Sequence, residues 1–351
     1  MVTIKEIAQE CSVSAATVSN ILNGKANVGA KTRERVLKVI EQRGYQPDHL
    51  ARSLRKGKSN TIGVIAEDIG QFSTPLILEG IMRCCEREGY QTMIQNLRLY
   101  AKWGDRWFDD ESIYRDTLEA AVQKLHAIKA DGLLYVAGHS RYIRYFADEP
   151  LIPTVMVYAF SQSTHMPCVV NDDEKGGYDM MRYLLSMGHR RIGILAGRED
   201  NLHTIRRLQG CQKALAEAGL SYDPRLVRYG NWERESGSPM AESLFRAERD
   251  VTAVFCMNDK MAGGVYDYLG ERGIRVGEDI SVAGYDNQIF AAYCSPPITT
   301  MEIDLYEIGT RAAEILLTRL QFSAEEKRAV MLEEKIPGRL IERKSVKRIA
   351  L

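Results

Sequence analysis

The chain has 351 residues, which suits two or three domains rather than one. With 45% hydrophobic and 27% charged residues it has a globular composition, and no apolar run approaches the roughly 20 residues of a membrane helix. The N-terminus lacks the apolar region of a secretory signal, and the seven cysteines have no CxxC spacing. We therefore expect a cytoplasmic protein with reduced thiols and no membrane partner.

Charge is unevenly distributed along a chain whose formal net charge is zero. Residues 1–60 carry eleven Lys and Arg against five acids, a net charge of +6, and the remaining residues carry −6. A basic segment on a mildly acidic body is expected if only that segment meets the phosphates of nucleic acid. A basic face that is merely solvated gives the same balance, so charge alone leaves both interpretations open.

The N-terminal segment predicts three helices. Thr3 and Glu6 form a capping box ahead of a short helix that ends near Cys11. Ser14 caps a second helix, and a third helix is expected over residues 30–43. Two short helices joined by a tight turn and buttressed by a third are the helix-turn-helix pattern of DNA-binding proteins.

The outward residues of the second helix suit contact with the major groove. Ala15, Ala16 and Thr17 offer methyl groups to thymine, and Asn20 can pair bidentately with adenine. Hydroxyl side chains in the same segment suit phosphate contacts, which fix position without reading sequence: Ser14, Ser19 and Thr32. A small helical bundle with a polar face would show the same spacing.

This segment resembles the head of the lactose-repressor (LacI/GalR) family. The resemblance rests on VTIKEIA at residues 2–8 and VSAATVSNILNG at 13–24, followed by RERV at 33–36, GYQP at 44–47 and ARSL at 51–54. It continues into the body and covers nearly the whole chain. It implies an all-α helix-turn-helix head on an α/β body like that of periplasmic sugar-binding proteins, built from two doubly wound parallel-sheet lobes.

Residues 47–60 are expected to form a hinge helix and linker. Pro47 ends the head, and a helix of about eight residues from Asp48 is too short to be stable alone in water. The resemblance implies that this helix pairs with its dimer mate in the minor groove, with Leu54 as an apolar wedge and Arg52 near phosphates. A plain amphipathic linker is the alternative. The expected DNA-binding residues are Thr3, Ser14, Ala15, Ala16, Thr17, Ser19, Asn20, Asn23, Thr32, Arg52 and Leu54.

From residue 61 onward, apolar runs alternate with helical patterns, which predicts parallel doubly wound sheets. The expected strands are 61–66, 90–95, 131–136, 154–158, 167–170, 191–196, 252–256, 279–285 and 298–302. The expected helices are 75–89, 115–129, 174–187, 205–218, 259–272 and 305–320.

These elements divide into a head and two lobes. We expect the head over residues 1–46, the N-terminal lobe over 61–162 with 294–322, and the C-terminal lobe over 163–293 with 323–343. In such folds ligands bind at the carboxyl ends of the strands, so the cleft between the lobes is the expected ligand site.

Polar residues cluster just after the predicted strand ends. The expected ligand-binding residues are Ser73, Asp172, His203, Arg207, Trp232, Asn258 and Asp286. Carboxylates and a guanidinium bond paired hydroxyl groups, and an indole covers the apolar face of a ring, so the set suits a sugar. The family resemblance supports Arg207, Trp232, Asn258 and Asp286. Taken singly, Asp286 can be a turn residue, Trp232 a packing residue and Asn258 a helix cap.

The chain departs from the family pattern at three places. Asn171-Asp172 stands where the family commonly has Asp-Asn. Ser73-Thr74 stands where the family usually presents aromatic residues, which argues against a flat purine ligand and favours a polyol. The aromatic segment 100–108 lengthens one connection, and it could serve as a lid, a dimer contact or a partner surface.

No motif in the sequence supports catalysis. There is no nucleophile elbow, no phosphate-cradling glycine loop and no paired metal ligands, so we expect neither an enzyme nor a cofactor. The sequence predicts a regulator, in the sense of a repressor, that binds a pseudo-palindromic operator as a homodimer and changes affinity when a sugar binds. A nucleoside or phosphorylated metabolite as effector, or a cytoplasmic sugar-binding protein without regulation, are the alternatives.

Overall fold

The computed structural model describes residues 2–22, 28–45, 59–146, 150–163, 165–321 and 332–349. The chain divides into two compact units, Met1–Ser59 and Asn60–Leu351. The hinge residues 47–58 and Asn23, on which several sequence predictions fall, lie outside the described residues.

The described residues of the N-terminal unit form three helices, α1 (Ile4–Glu10), α2 (Ala15–Leu22) and α3 (Ala30–Gln42). Each helix contributes at least one fully buried apolar side chain to a shared core, namely Ile7, Val18 and Val36. The capping box predicted at the start of α1 is present, because Thr3 accepts from the Glu6 amide and Glu6 accepts from the Thr3 amide. The predicted helix-turn-helix arrangement is therefore confirmed.

The second unit contains two six-stranded sheets. The strands in chain order are β1 (Thr61–Ala66), β2 (Gln91–Asn96), β3 (Gly132–Val136), β4 (Tyr142–Ile143), β5 (Thr154–Val157), β6 (Phe160–Ser161), β7 (Cys168–Asn171), β8 (Ile192–Ala196), β9 (Val227–Tyr229), β10 (Ala253–Cys256), β11 (Ser281–Asp286), β12 (Thr299–Glu302), β13 (Glu333–Ile336) and β14 (Arg339–Ile341). The first sheet has the order β13-β7-β5-β3-β1-β2 and is parallel throughout. The second has the order β14-β12-β11-β10-β8-β9, with only β14 antiparallel to its neighbour.

Helices cover the faces of both sheets. They are α4 (Thr74–Arg87), α5 (Leu99–Trp103), α6 (Arg115–Ala127), α7 (Asp173–Ser186), α8 (Leu202–Glu217), α9 (Arg234–Ala247), α10 (Asp259–Gly270) and α11 (Leu305–Gln321). Three pairs pack closely: α4 with α11, α7 with α8, and α9 with α10. The interior strands β3, β8 and β10 are buried along their whole length, as expected for sheets that are covered on both faces.

The structure corrects the expected lobe boundaries at three strands. The predictions put β7 and β13 in the C-terminal lobe and β12 in the N-terminal lobe, but β7 and β13 pair with each other in the first sheet and β12 lies in the second. The chain therefore passes between the lobes after β7, after β12 and after β13. An apolar run shows that a strand is buried, but it does not show which sheet accepts it.

Candidate effector site and DNA-binding head

The α2 helix presents the side chains predicted to read DNA. Ala15 and Ala16 are exposed in its first turn, and Thr17 and Asn20 are half-buried along its length. The Ser14 hydroxyl accepts a hydrogen bond from the Thr17 amide at 3.0 Å, so it caps this helix. The helix thus begins with small exposed side chains, which allow close approach to a groove floor.

The remaining predicted DNA-binding residues have varied positions. Thr3 is exposed and its hydroxyl belongs to the α1 capping box. Ser19 and Thr32 are half-buried, the latter in the first turn of α3. Asn23, Arg52 and Leu54 lie outside the described residues.

A buried group of charged side chains brings together residues that follow strands of both sheets of the body. Asp173, the first residue of α7, accepts hydrogen bonds from Arg207 Nε and His203 Nδ1, each at 2.8 Å. Both partners come from the start of α8, and all three residues are at most 4% exposed. The strand ends thus bring together a carboxylate from the connection after β7 and two cationic or polar groups that follow β8.

Arg207 is held in one orientation by several contacts. Its guanidinium stacks on the Tyr285 ring at 3.6 Å and donates to the Met257 carbonyl. It lies 3.9 Å from Asp286 and 5.7 Å from the centre of the Trp232 ring. A planar guanidinium fixed on an aromatic face keeps its remaining N–H groups aimed at a constant point.

Two carboxyl groups of this cluster have pKa values displaced in opposite directions. Burial alone would raise the pKa of Asp173, but His203 and Arg207, which hydrogen-bond to it, hold the pKa well below its usual range. Burial raises the pKa of Asp286 to about 7, although Arg207 opposes the shift. Strongly displaced pKa values that meet at one place are typical of functional sites.

Two polar atoms beside the cluster are buried without a partner. Asn171 donates to Asp173 at 2.9 Å and to Tyr285 at 3.1 Å, but its Oδ1 accepts nothing. The Trp232 indole N–H is likewise unpaired, and its ring lies 6.2 Å from that of His203. An unpaired buried acceptor or donor costs free energy unless a bound molecule satisfies it, so these atoms indicate a ligand position.

Asn258 has a positioning role in this structure. Its side-chain oxygen accepts from the Met261 amide at 2.8 Å, which caps α10, and its Nδ2 donates to the Trp232 carbonyl at 2.7 Å. Both ends of the amide are therefore engaged within the protein. The residue fixes the loop that carries the Trp232 ring, which is consistent with the helix-cap interpretation of its sequence position.

The structure places Asp173, rather than Asp172, in the cluster. Asp172 caps α7 by accepting from the Lys175 amide at 3.1 Å, and it lines a different, shallow pocket together with Lys213 and Lys335. Adjacent residues at a helix start point in different directions, and the sequence does not reveal which one turns inward. Ser73 is buried at the start of α4 with an unpaired hydroxyl.

Sequence reasoning missed several members of the cleft. The Tyr285 ring stacks against the Arg207 guanidinium, and the Tyr158 ring lies 5.3 Å from the His203 ring. The Ser140 amide donates a hydrogen bond to His203 Nε2 at 3.1 Å. All three follow or end predicted strands, but each fits a buried apolar or turn position equally well. Only the position at a strand end could have indicated them.

Two other site classes find no support in the part of the chain that the structure describes. Within the described ranges, no three His, Cys, Asp or Glu side chains come together as a metal ion would require. None of the helices described there is long and apolar enough to cross a membrane.

The fold comprises a helix-turn-helix head and a two-lobed α/β body, the construction of a DNA-binding transcription regulator. The head, over residues 3–48, matches the model of bacterial regulatory proteins of the lacI family. Residues 181–346 match the periplasmic binding protein-like domain.

Curated relatives match along their whole length. The HTH-type transcriptional repressor PurR of Vibrio atlanticus (strain LGP32) is 33% identical over 350 residues, 99% of each chain. The repressor of the same name from Pasteurella multocida (strain Pm70) is 31% identical over 99% of each. The chain belongs to the lacI family of bacterial regulatory proteins and is a DNA-binding transcription regulator. The relatives are repressors rather than enzymes, as the sequence predicted.

Solved structures agree with this assignment. The lac repressor dimer bound to operator and the anti-inducer ONPF has a TM-score of 0.79 at 25% identity and covers 99% of both chains. A complex of the transcriptional regulator CelR with cellobiose has a TM-score of 0.64 at 26% identity, covering 98% of this chain and all of the other.

Proposed function

We propose that the chain is a cytoplasmic repressor that binds a pseudo-palindromic operator as a homodimer, and that a sugar in the interlobe cleft changes its affinity for the operator. The observation that carries the sugar assignment is the pair of unpaired buried atoms, Asn171 Oδ1 and Trp232 Nε1, beside the Asp173–Arg207 ion pair. Asn171 Oδ1 lacks a hydrogen-bond donor, and Trp232 Nε1 lacks an acceptor. A hydroxyl group supplies both, so a polyhydroxy ring suits the position.

The charges at the cluster favour a neutral effector over a phosphorylated one. Two carboxyl groups, Asp173 and Asp286, lie against the single guanidinium of Arg207. A phosphate group would meet no unopposed cation there, and desolvating it would be expensive. Asp286, with a pKa near 7, can donate or accept at neutral pH and so can bond a hydroxyl in either state.

A nucleobase or nucleoside is the second candidate effector. The centre of the His203 ring lies 5.3 Å from that of Tyr158 and 6.2 Å from that of Trp232. Three neighbouring aromatic rings would also cover a flat base. The curated relatives are repressors named PurR, whereas one structural neighbour is a complex with cellobiose. Relatedness alone therefore does not choose between a nucleoside and a sugar as effector.

Operator titration tests the function directly. Labelled DNA from the region upstream of the chain's own gene is titrated with the protein by fluorescence anisotropy, at two salt concentrations and with panels of sugars and nucleosides. We expect saturable binding that weakens steeply with salt and shifts with one class of ligand. Binding that responds only to nucleosides would reject the sugar. Absence of sequence-specific binding would reject the operator proposal.

The effector residues are tested separately by Trp232→Ala. The substitution removes the ring and its unpaired N–H, so we expect loss of the ligand-induced rise in melting temperature. Phe245→Ala is the matched control, because Phe245 is a half-buried aromatic residue of the same lobe that stacks on Tyr268. Equal loss of the ligand response in both variants would place the effector elsewhere.

A further inference from the structure

The connection between β2 and α6, residues 97–114, is a packed aromatic loop, which we call the wall. It contains the short helix α5 and a 3-10 turn over Glu111–Ile113. Trp107 is fully buried in edge contact with Tyr100 and Tyr114, with ring centres 5.3 and 5.9 Å apart. Such aromatic pairs stabilise a loop beyond the area that they bury.

A buried ion pair fastens this wall to the first sheet. Glu67, directly after β1, is fully buried and accepts from Arg141 Nη1 at 2.9 Å and from the Tyr135 hydroxyl at 2.6 Å. The Arg141 guanidinium lies 4.8 Å from the centre of the Trp107 ring. A charge pair that is also hydrogen-bonded and stacked has one favourable geometry, so the wall is held at a fixed place.

The wall and the second lobe border a cavity of about 480 Å³ that is open to solvent on one side. Residues 108–112 line one side, and Arg198 with residues 200–202 lines the other. Arg198 pairs with Asp109 at 2.9 Å across the gap. Ser140 lines the cavity and also donates to His203, so the cavity adjoins the central cluster. Its volume falls within the roughly 300–1,000 Å³ of ordinary ligand pockets.

The lining of this cavity indicates a neutral, hydroxyl-rich occupant. Four arginines and four carboxylates line it, so there is no excess charge to attract an ion. Phe108 is half-buried and Tyr142 is 46% exposed, and both rings line the cavity. Aromatic faces beside mixed donors and acceptors are the surroundings that a sugar ring needs.

We propose that this cavity is a second sugar subsite, so that the effector has at least two sugar rings, one at Arg207 and Trp232 and the next against Phe108. The proposal rests on the proposed function, because it extends a sugar from the central cluster. The aromatic segment, which lengthens the connection after β2, would then select effectors by size.

Calorimetric titration of the full-length protein tests the proposal. The probes are glucose and galactose together with cellobiose, lactose, maltose and sucrose. We expect one disaccharide to bind at least about tenfold more tightly than its component monosaccharides. Phe108→Ala should weaken that disaccharide roughly 3- to 10-fold and leave monosaccharide binding unchanged.

Two further variants keep the result interpretable. Tyr142→Ser removes the more exposed ring with little risk to folding and should weaken the disaccharide selectively as well. Phe245→Ala, the matched control outside the cleft, should change neither affinity. Equal binding of mono- and disaccharides, or equal weakening of both by Phe108→Ala, overturns the subsite and leaves the sugar function intact. Absence of binding by every sugar rejects the sugar function and the subsite together.

Discussion

Asp173 and Asp286 show how neighbouring partners decide the state of a buried carboxyl group. Asp173 accepts hydrogen bonds from Arg207, His203 and Asn171, and its interactions with His203 and Arg207 outweigh the unfavourable burial of its charge. Asp286 is equally buried, but Arg207 lies 3.9 Å away and its hydrogen-bond donor is the neutral amide of Gln288. Burial therefore dominates, and its pKa rises.

The raised pKa of Asp286 makes its protonation state a determinant of stability. In the unfolded chain this group ionises above about pH 4, whereas in the folded chain it keeps its proton until about pH 7. Folding is thus disfavoured progressively as the pH rises from 4 to 7, and the effect is constant above that range. We expect Asp286→Asn, without effector, to raise the free energy of unfolding at pH 8 by roughly 1–2 kcal/mol.

Denaturant titration at pH 4.5, 6 and 8 measures this difference. The gain of the variant over the wild type should be largest at pH 8 and should shrink toward pH 4.5. Asp179→Asn is a control on the exposed face of α7, where the partner is Lys175, and its difference should not follow the same curve. A constant difference at the three pH values would show that Asp286 has an ordinary pKa.

At the head, Asn20 provides a single-residue test of base reading. Loss of a bidentate contact with adenine should weaken specific operator binding by about 1–3 kcal/mol, or roughly 5- to 150-fold. We expect Asn20→Ala to show this loss and to keep the non-specific affinity and its salt dependence. Gln9→Ala, at an exposed position of α1, is the control. Equal weakening on specific and random DNA would assign Asn20 to the phosphates instead.

At the scale of helices, the central cluster depends on the close approach of α7 and α8. A Cβ added to Gly210 of α8 would lie 1.9 Å from the Glu174 carbonyl oxygen of α7. The same pair of helices carries Asp173 on one side and His203 and Arg207 on the other. The interhelical distance therefore sets the geometry of the ion pairs.

Gly210→Ala should separate these helices and disturb the cluster. Because the contact is with backbone, we expect a loss of about 1–3 kcal/mol in stability and weaker effector binding. Gly270→Ala is the matched control, since Gly270 ends α10 with open space around its Cα, and it should be neutral or slightly stabilising. Thermal unfolding and effector titration of both variants measure the difference. Unchanged effector binding in Gly210→Ala would show that the cluster tolerates the separation.

The elements of the body were largely predictable from sequence, because buried parallel strands are short apolar runs. All nine predicted strands are present, with ends displaced by at most two residues. The helix α9 was missed because Gly237 and Pro239 interrupt its pattern; the glycine is needed where α9 meets the backbone of α10. Lobe membership was not predictable, because pairing of β13 with β7 depends on contacts distant in sequence.

The site was predictable in outline only. Arg207 and Asp286 could be placed at strand ends, because strand alternation determines where the carboxyl edges lie. Whether Asp172 or Asp173 points into the cluster depends on the direction of one helical turn, which the sequence does not reveal. The Glu67–Arg141 ion pair depends on the conformation of a loop, and a loop has no periodic sequence pattern. Local patterns determine elements, whereas the directions of side chains at element ends come from tertiary packing.

For the whole molecule, regulation requires that two sites in different units be coupled by a free energy. The head contains α2, the helix expected to contact DNA, and the body holds the cluster around Arg207. Coupling between two binding equilibria is reciprocal, so whatever factor the effector imposes on operator affinity, the operator must impose on effector affinity. Typical factors are about 5- to 150-fold.

We therefore expect operator titrations with and without effector, and effector titrations with and without operator, to give the same factor. Arg207→Lys should weaken effector binding at least tenfold, because lysine keeps the charge but loses the stacking on Tyr285 and the fixed fork to Asp173. Its operator affinity without effector should match that of the wild type, since the head is unchanged. Unequal factors would mean that a third equilibrium, such as dissociation of the proposed dimer, contributes besides a two-state change.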